Sequence, residues 1–102
     1  MSAVAKIREL LPPNTVNLEN GKVVRLSLWT LWNGVPWNTV VIERTAVGFS
    51  CSVGEPEHGG GRVQGDLDEV LAGFHPDIKR RYKQLFELNE PTGAQLKEFG
   101  FL

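Results

Sequence analysis

Apolar and polar positions alternate from Thr15 to Val53, while the segments on either side repeat their apolar residues every three to four positions. The first pattern predicts strands and the second predicts helices. At the N-terminal side, Val4, Ile7, Leu10 and Leu11 form a helical stripe, with Ser2 as a cap and Pro12-Pro13 as a stop. A helix of about two and a half turns is marginal in isolation, so this one must dock on the sheet or on a second protomer. Thr15–Leu18 and Lys22–Trp32 then flank Asn20-Gly21, a two-residue hairpin signal that sets Glu19 opposite Lys22. Along the longer strand, Val24, Leu26, Leu28, Thr30 and Trp32 share one face, and Val23, Arg25, Ser27, Trp29 and Leu31 share the other. The first face is the more apolar and is expected to meet the helices.

A second Asn-Gly pair, Asn33-Gly34, precedes the strand Trp37–Thr45. A two-residue loop there would place Pro36 in the ladder, where it has no N–H to donate. The expected loop is therefore Asn33 to Pro36, which sets Trp32 opposite Trp37 and Leu28 opposite Val41. Ala46-Val47-Gly48 permits a further reversal, and Phe49, Cys51 and Val53 mark another strand. Together these make an antiparallel meander of about four strands. Gly54–Gly65, with three consecutive glycines and one proline, reads as a mobile loop.

Beyond it, Asp66 with Glu69 three residues later has the logic of a helix cap, and Leu67, Val70, Leu71 and Phe74 form an apolar stripe. A second helix begins near Pro76-Asp77 with Ile78, Tyr82, Leu85 and Phe86 on one side, and Thr92 caps a last short helix carrying Leu96 and Phe99. The apolar end Phe101-Leu102 is expected to pack. The fold class is α+β: a sheet of about four strands, preceded by one short helix and followed by two to three helices on one face. One domain covers residues 1–102, divided into a helix (1–12), a sheet (14–53), a Gly-rich loop (54–65) and a helical part (66–102).

Composition narrows the function more than it specifies it. A chain of 102 residues that is 41% apolar and 23% charged forms one globular core rather than a disordered chain. Its net charge of −1 supplies no general attraction to nucleic acid or to an anionic membrane. Cys51 is the only cysteine, so no internal disulfide forms and a reducing, cytoplasmic setting is expected. No apolar run approaches the ~20 residues that a spanning helix needs, and the N-terminal segment lacks the apolar core of a signal peptide.

Candidate chemistry is sparse. His58-Gly59-Gly60-Gly61 resembles the oxyanion loop of lipase-like α/β-hydrolases over four residues. The chain is short for that fold and has no G-x-S-x-G elbow, so the resemblance implies no activity. Cys51 could pair with His58 or His75 as nucleophile and base, but its apolar flanks place it in a core, where thiols are inert. Two histidines and one cysteine give no metal-ligand spacing, and no cofactor is expected. Gly60, Gly61 and Arg62 could cradle an anion, and the helix over 77–88 carries Lys79, Arg80, Arg81 and Lys83, with Lys79 and Lys83 on one edge.

Trp29, Trp32 and Trp37 lie within nine residues. Read as core, Trp32 and Trp37 cover its end and Trp29 packs under the N-terminal helix. Read as interface, they belong to a second sheet face, with Val23, Trp29, Leu31, Val40 and Ile42 relieved by Arg25, Ser27, Asn38 and Arg44. That face is too apolar for solvent. The leading expectation is a non-enzymatic protein-interaction module using Trp29, Leu31, Val40, Ile42, Arg25 and Arg44 to bind a partner protein or itself as a homo-oligomer. Its size and motif poverty suit a small inhibitor or adaptor of phage or mobile-element type. The alternative is an anion, nucleotide or nucleic-acid binder using Gly60, Gly61, Arg62, Lys79 and Lys83.

Overall fold

The computed structural model describes residues 14–54 and 60–101; the helix expected over residues 1–12, His58 and the last residue lie outside the described residues. Five strands form one antiparallel sheet in sequence order: β1 (Thr15–Glu19), β2 (Lys22–Trp32), β3 (Val35–Thr45), β4 (Gly48–Val53) and β5 (Gly61–Gly65). Three helices follow: α1 (Leu67–Val70), α2 (Pro76–Glu87) and α3 (Gly93–Glu98). The chain is therefore α+β, with one strand more than the alternation predicted. The additional strand corrects the reading of Gly54–Gly65 as loop throughout. Arg62-Val63-Gln64 alternates, Val63 pairs with Cys51 and packs against the core, and the flanking glycines masked that short pattern.

Both Asn-Gly pairs make two-residue turns with positive φ at each position, 51° and 76° at Asn20-Gly21 and 52° and 79° at Asn33-Gly34. This left-handed pair matches the twist of the flanking strands. The first turn sets Glu19 opposite Lys22 as expected. The second overturns the four-residue loop: Trp32 faces Val35, and Pro36 sits in the ladder opposite Leu31. Proline is tolerated because hydrogen-bonded and non-hydrogen-bonded pairs alternate: Trp32–Val35 closes the turn as a hydrogen-bonded pair, so Leu31–Pro36 is a non-hydrogen-bonded one and the nitrogen of Pro36 points away from β2. On that outer side β4 ends at Val53, opposite Val40, so it does not reach Pro36.

Two bulges then decide which side chains share a face. Between β1 and β2 the register steps from Asn17–Arg25 to Leu18–Val23, leaving Val24 as an extra residue. Between β2 and β3 it steps from Leu28–Val40 to Thr30–Trp37, so Trp29 faces both Asn38 and Thr39. The first bulge turns Val23 onto the helix side with Leu26 and Leu28. The second bulge brings Val40 and Ile42 to the same side, opposite Leu28 and Leu26. Val23, Val40 and Ile42 are all fully buried, which corrects their placement on the open face.

The helical layer closes the core from one side. Val70, Leu71 and Phe74 around α1, Leu85 and Phe86 of α2, and Phe101 are buried together with Leu26, Leu28, Cys51 and Val53. Phe49 meets Phe86 edge-on at 5.2 Å, and Phe74 meets Tyr82 edge-on at 5.4 Å. Asp66 caps α1 by accepting from Glu69 N at 2.9 Å, and Thr92 forms a reciprocal capping box with Gln95 on α3. Both hairpin turns are tied to the helical layer: Glu90 N donates to Gly21 O, and Asn33 N donates to Gly73 O at 2.8 Å. Among the described residues, no helix is long and apolar enough to cross a membrane.

Candidate interaction surface

The three tryptophans take different roles because the hairpin register separates them. Trp32 lies on the helix side, seated on Gly61 and Gly73; a Cβ at Gly73 would come 2.8 Å from Trp32 Cδ1. Trp37 faces Thr30 rather than Trp32, and it rests on Gly54, where a Cβ would lie 2.5 Å from Cζ3. Trp29 is half-buried on the opposite, open side of the sheet. Its backbone N donates to Asn14 Oδ1 at 2.8 Å.

Past the last pairs made by β1 and β4, the end of the β2–β3 hairpin extends as two strands. Among the described residues, β1 pairs no further along β2 than Ser27, and β4 pairs no further along β3 than Val40. Here the surface is apolar. Leu31 is 48% exposed and Val35 49% exposed, and Pro36 beside them is exposed. A groove of about 430 Å³ is lined by Trp29, Thr30, Leu31, Pro36, Trp37 and Asn38. The Trp37 indole N–H is buried without a hydrogen-bond partner among the described residues. Leaving such a donor unmet typically costs ~1–3 kcal/mol.

Of the interface residues expected from the sequence, Arg25, Trp29 and Leu31 lie on the open face. Val40 and Ile42 do not, being core residues. Arg44 is also on the helix side. Its Nε donates to Val23 O at 2.7 Å, and a terminal nitrogen donates to Phe86 O near the α2 C-terminus. Its guanidinium lies over the Phe49 and Phe86 rings at 5.2 and 5.4 Å. It ties sheet to helix and complements the α2 dipole. With these residues removed, the open face is mixed rather than apolar: Arg25, Glu43, Ser52, Arg62 and Gln64 surround Val41 and Trp29. The apolar excess sits at the hairpin end. The signal for it was present in Asn33-Gly34 read as a two-residue turn, which puts Val35 and Pro36 next to Trp32 and Leu31.

The residues of the anion reading are not brought together. Gly61 opens β5 beneath Trp32, and Arg62 pairs with Ser52 on the open face. Lys79 and Lys83 are on α2, beyond the other face, and both reach Asp68 Oδ1, at 3.5 and 3.2 Å. Lys83, then Lys79, holds the Asp68 carboxyl below its ordinary value. Arg80 pairs with Asp77 at 2.9 Å. Three of the four basic side chains on α2 thus have acidic partners in the same molecule. A shallow groove of about 460 Å³ beside them includes Asp68 and Phe74 in its lining.

Nucleophile chemistry has little purchase. Burial pushes the Cys51 thiol up to about 11, which leaves it protonated at neutral pH. His75 is exposed and serves as the N-cap of α2, its Nδ1 accepting from Asp77 N at 3.2 Å. Burial also raises Tyr82, whose hydroxyl donates to Thr30 Oγ1 at 3.1 Å. Among the described residues, no group of three or more His, Cys, Asp and Glu side chains is arranged to hold a metal ion. Protein-family models, curated proteins and solved structures yield no match to this chain.

Proposed function

We propose that the protein is a non-enzymatic interaction module that seats an apolar segment of a partner protein on the end of the β2–β3 hairpin. The observation that carries this reading is the groove of Trp29, Leu31, Pro36 and Trp37, at a hairpin end where Leu31 is about half exposed. Aromatic anchors beside aliphatic and polar groups are the usual centre of a binding hot spot. Pro36 keeps the β3 edge from pairing freely with other strands, so the site favours side-chain recognition over open-ended sheet addition. Asn38 supplies an exposed polar side chain at the groove wall that can fix orientation.

The test compares wild type with the double variant Leu31→Glu/Val35→Glu and with Lys79→Glu/Lys83→Glu. Partner capture from the native cell should fall at least tenfold in the hairpin variant. It should persist in the lysine variant, with little dependence on salt, because apolar association is not screened. Mass in solution shows whether the captured partner is a second copy of the chain. Loss of capture confined to the lysine variant, with steep salt dependence, would instead favour phosphate-driven binding.

A further inference from the structure

Val47 is 96% exposed at the tip of the turn between β3 and β4. The turn does not need it there. Val47 N donates to Thr45 Oγ1 at 3.3 Å, and Gly48 packs so closely on Gly65 that a Cβ would come 2.7 Å from the Gly65 carbonyl oxygen. Thr45 and Gly48 thus set the backbone, and a polar residue would serve the tip as well. Among the described residues, the exposed large apolar side chains are Leu18, Leu31, Val35 and Val47, and they lie toward the two ends of the sheet. Leu31 and Val35 mark the hairpin end that holds the groove. Val47 stands beyond the other end of β3, whose 11 residues span roughly 33 Å. Knob and groove therefore cannot meet within one molecule. Between two molecules no charge stands in the way: Thr45, Ala46, Val47 and Gly48 are uncharged, and so are the residues lining the groove. Neither surface has an ion to strip of water.

We propose that the apolar segment seated at the hairpin end is the Val47 turn of a second copy of this chain. This rests on the reading of the groove as a seat for apolar segments, and it adds the occupant. The two surfaces differ, so the contact is head-to-tail. Each molecule offers its turn to one neighbour and its groove to another, which builds arrays or rings rather than a two-fold dimer. One aliphatic side chain in a groove of about 430 Å³ buries much less than the ~1,200 Å² of a stable interface. The association is therefore weak and rises with concentration.

The test is sedimentation of the full chain over concentrations up to about 1 mM, where contacts worth roughly 4 kcal/mol become populated. Wild type should gain mass with concentration. Val47→Ser, which removes the knob and leaves the groove, should associate at least tenfold more weakly, and so should Leu31→Glu/Val35→Glu, which keeps the knob. Circular dichroism establishes that each variant is folded. An equimolar mixture of the two variants should then form a complex of two chains and nothing larger, because each retains the half of the contact that the other lacks. A wild type that stays monomeric to about 1 mM overturns the proposal. So does Val47→Ser that associates like wild type, which would mean groove against groove, and so does a mixture that stays monomeric. The groove reading fails on a different result. If Leu31→Glu/Val35→Glu still captures a partner protein, the groove is not the seat; if capture of a different protein is lost there and kept in Val47→Ser while wild type stays monomeric, the groove stands and only its occupation by the Val47 turn is overturned.

Discussion

Val40 and Val41 are adjacent in β3, yet the register assigns them opposite fates, and substituting each with glutamate separates them. Val40 is fully buried between Leu28 and Val53 under the helical layer. Val41 is half-buried between Ser27 and Ser52 on the open face. Val40→Glu forfeits ~1.5–3 kcal/mol of apolar burial. Its carboxyl must also enter the core neutral, and holding a group of pKa ~4.3 protonated at pH 7 costs about 3.7 kcal/mol. The combined loss, about 5 kcal/mol or more, is comparable to the whole stability of a small domain. At Val41 the carboxylate can reach water, and the expected loss is under ~1.5 kcal/mol. Urea denaturation followed by circular dichroism measures both. The buried Glu has a raised folded pKa, so its penalty is largest at neutral pH. That penalty should shrink by about 1.4 kcal/mol per unit as the pH falls toward ~4.3. A folded Val40→Glu within ~1 kcal/mol of wild type, alongside a collapsed Val41→Glu, would refute the bulge at Trp29 and every face assignment built on it.

Other perturbations probe single contacts. Gly73→Ala should cost ~1–3 kcal/mol in the same assay, because its Cβ forces Trp32 from its seat. Arg44→Ala should cost ~2–4 kcal/mol by removing two charged donors from buried carbonyls, and Arg44→Lys should restore only part of it. Asp66→Ala should cost ~0.5–2 kcal/mol through loss of the α1 cap. The Asp68 carboxyl is held below its ordinary value of 3.8, so its contribution is present above that pH and is lost as pH falls through the lower folded value. Acid denaturation of Asp68→Asn should lack that component.

The helical layer was legible because three-to-four-residue spacing in Leu67–Phe74 and Ile78–Phe86 maps directly onto buried positions. Caps at Asp66 and Thr92 were legible for the same local reason. The sheet faces were not. Strand parity survives only until a bulge, and two bulges, at Val24 and at Asn38–Thr39, leave no mark in the alternation itself. Pro36 then outweighed Asn33-Gly34 in setting the loop, although its nitrogen lies at a pair that needs no donor. The unseen bulge beside Trp29 carried Val40 and Ile42 to the wrong face, and the misplaced turn hid the apolar excess at the hairpin end. Burial of Arg44 was equally hidden, since the carbonyls that receive it belong to Val23 and Phe86, far apart in the chain.

The most direct measurement is the dissociation constant of the captured protein partner, or of a second copy of the chain, for wild type and for Leu31→Glu/Val35→Glu. Circular dichroism on each sample establishes that both are folded. A hairpin-end interaction predicts at least a tenfold weaker constant in the variant, unchanged between low and high salt in the wild type. Equal constants for the two folded proteins would contradict it.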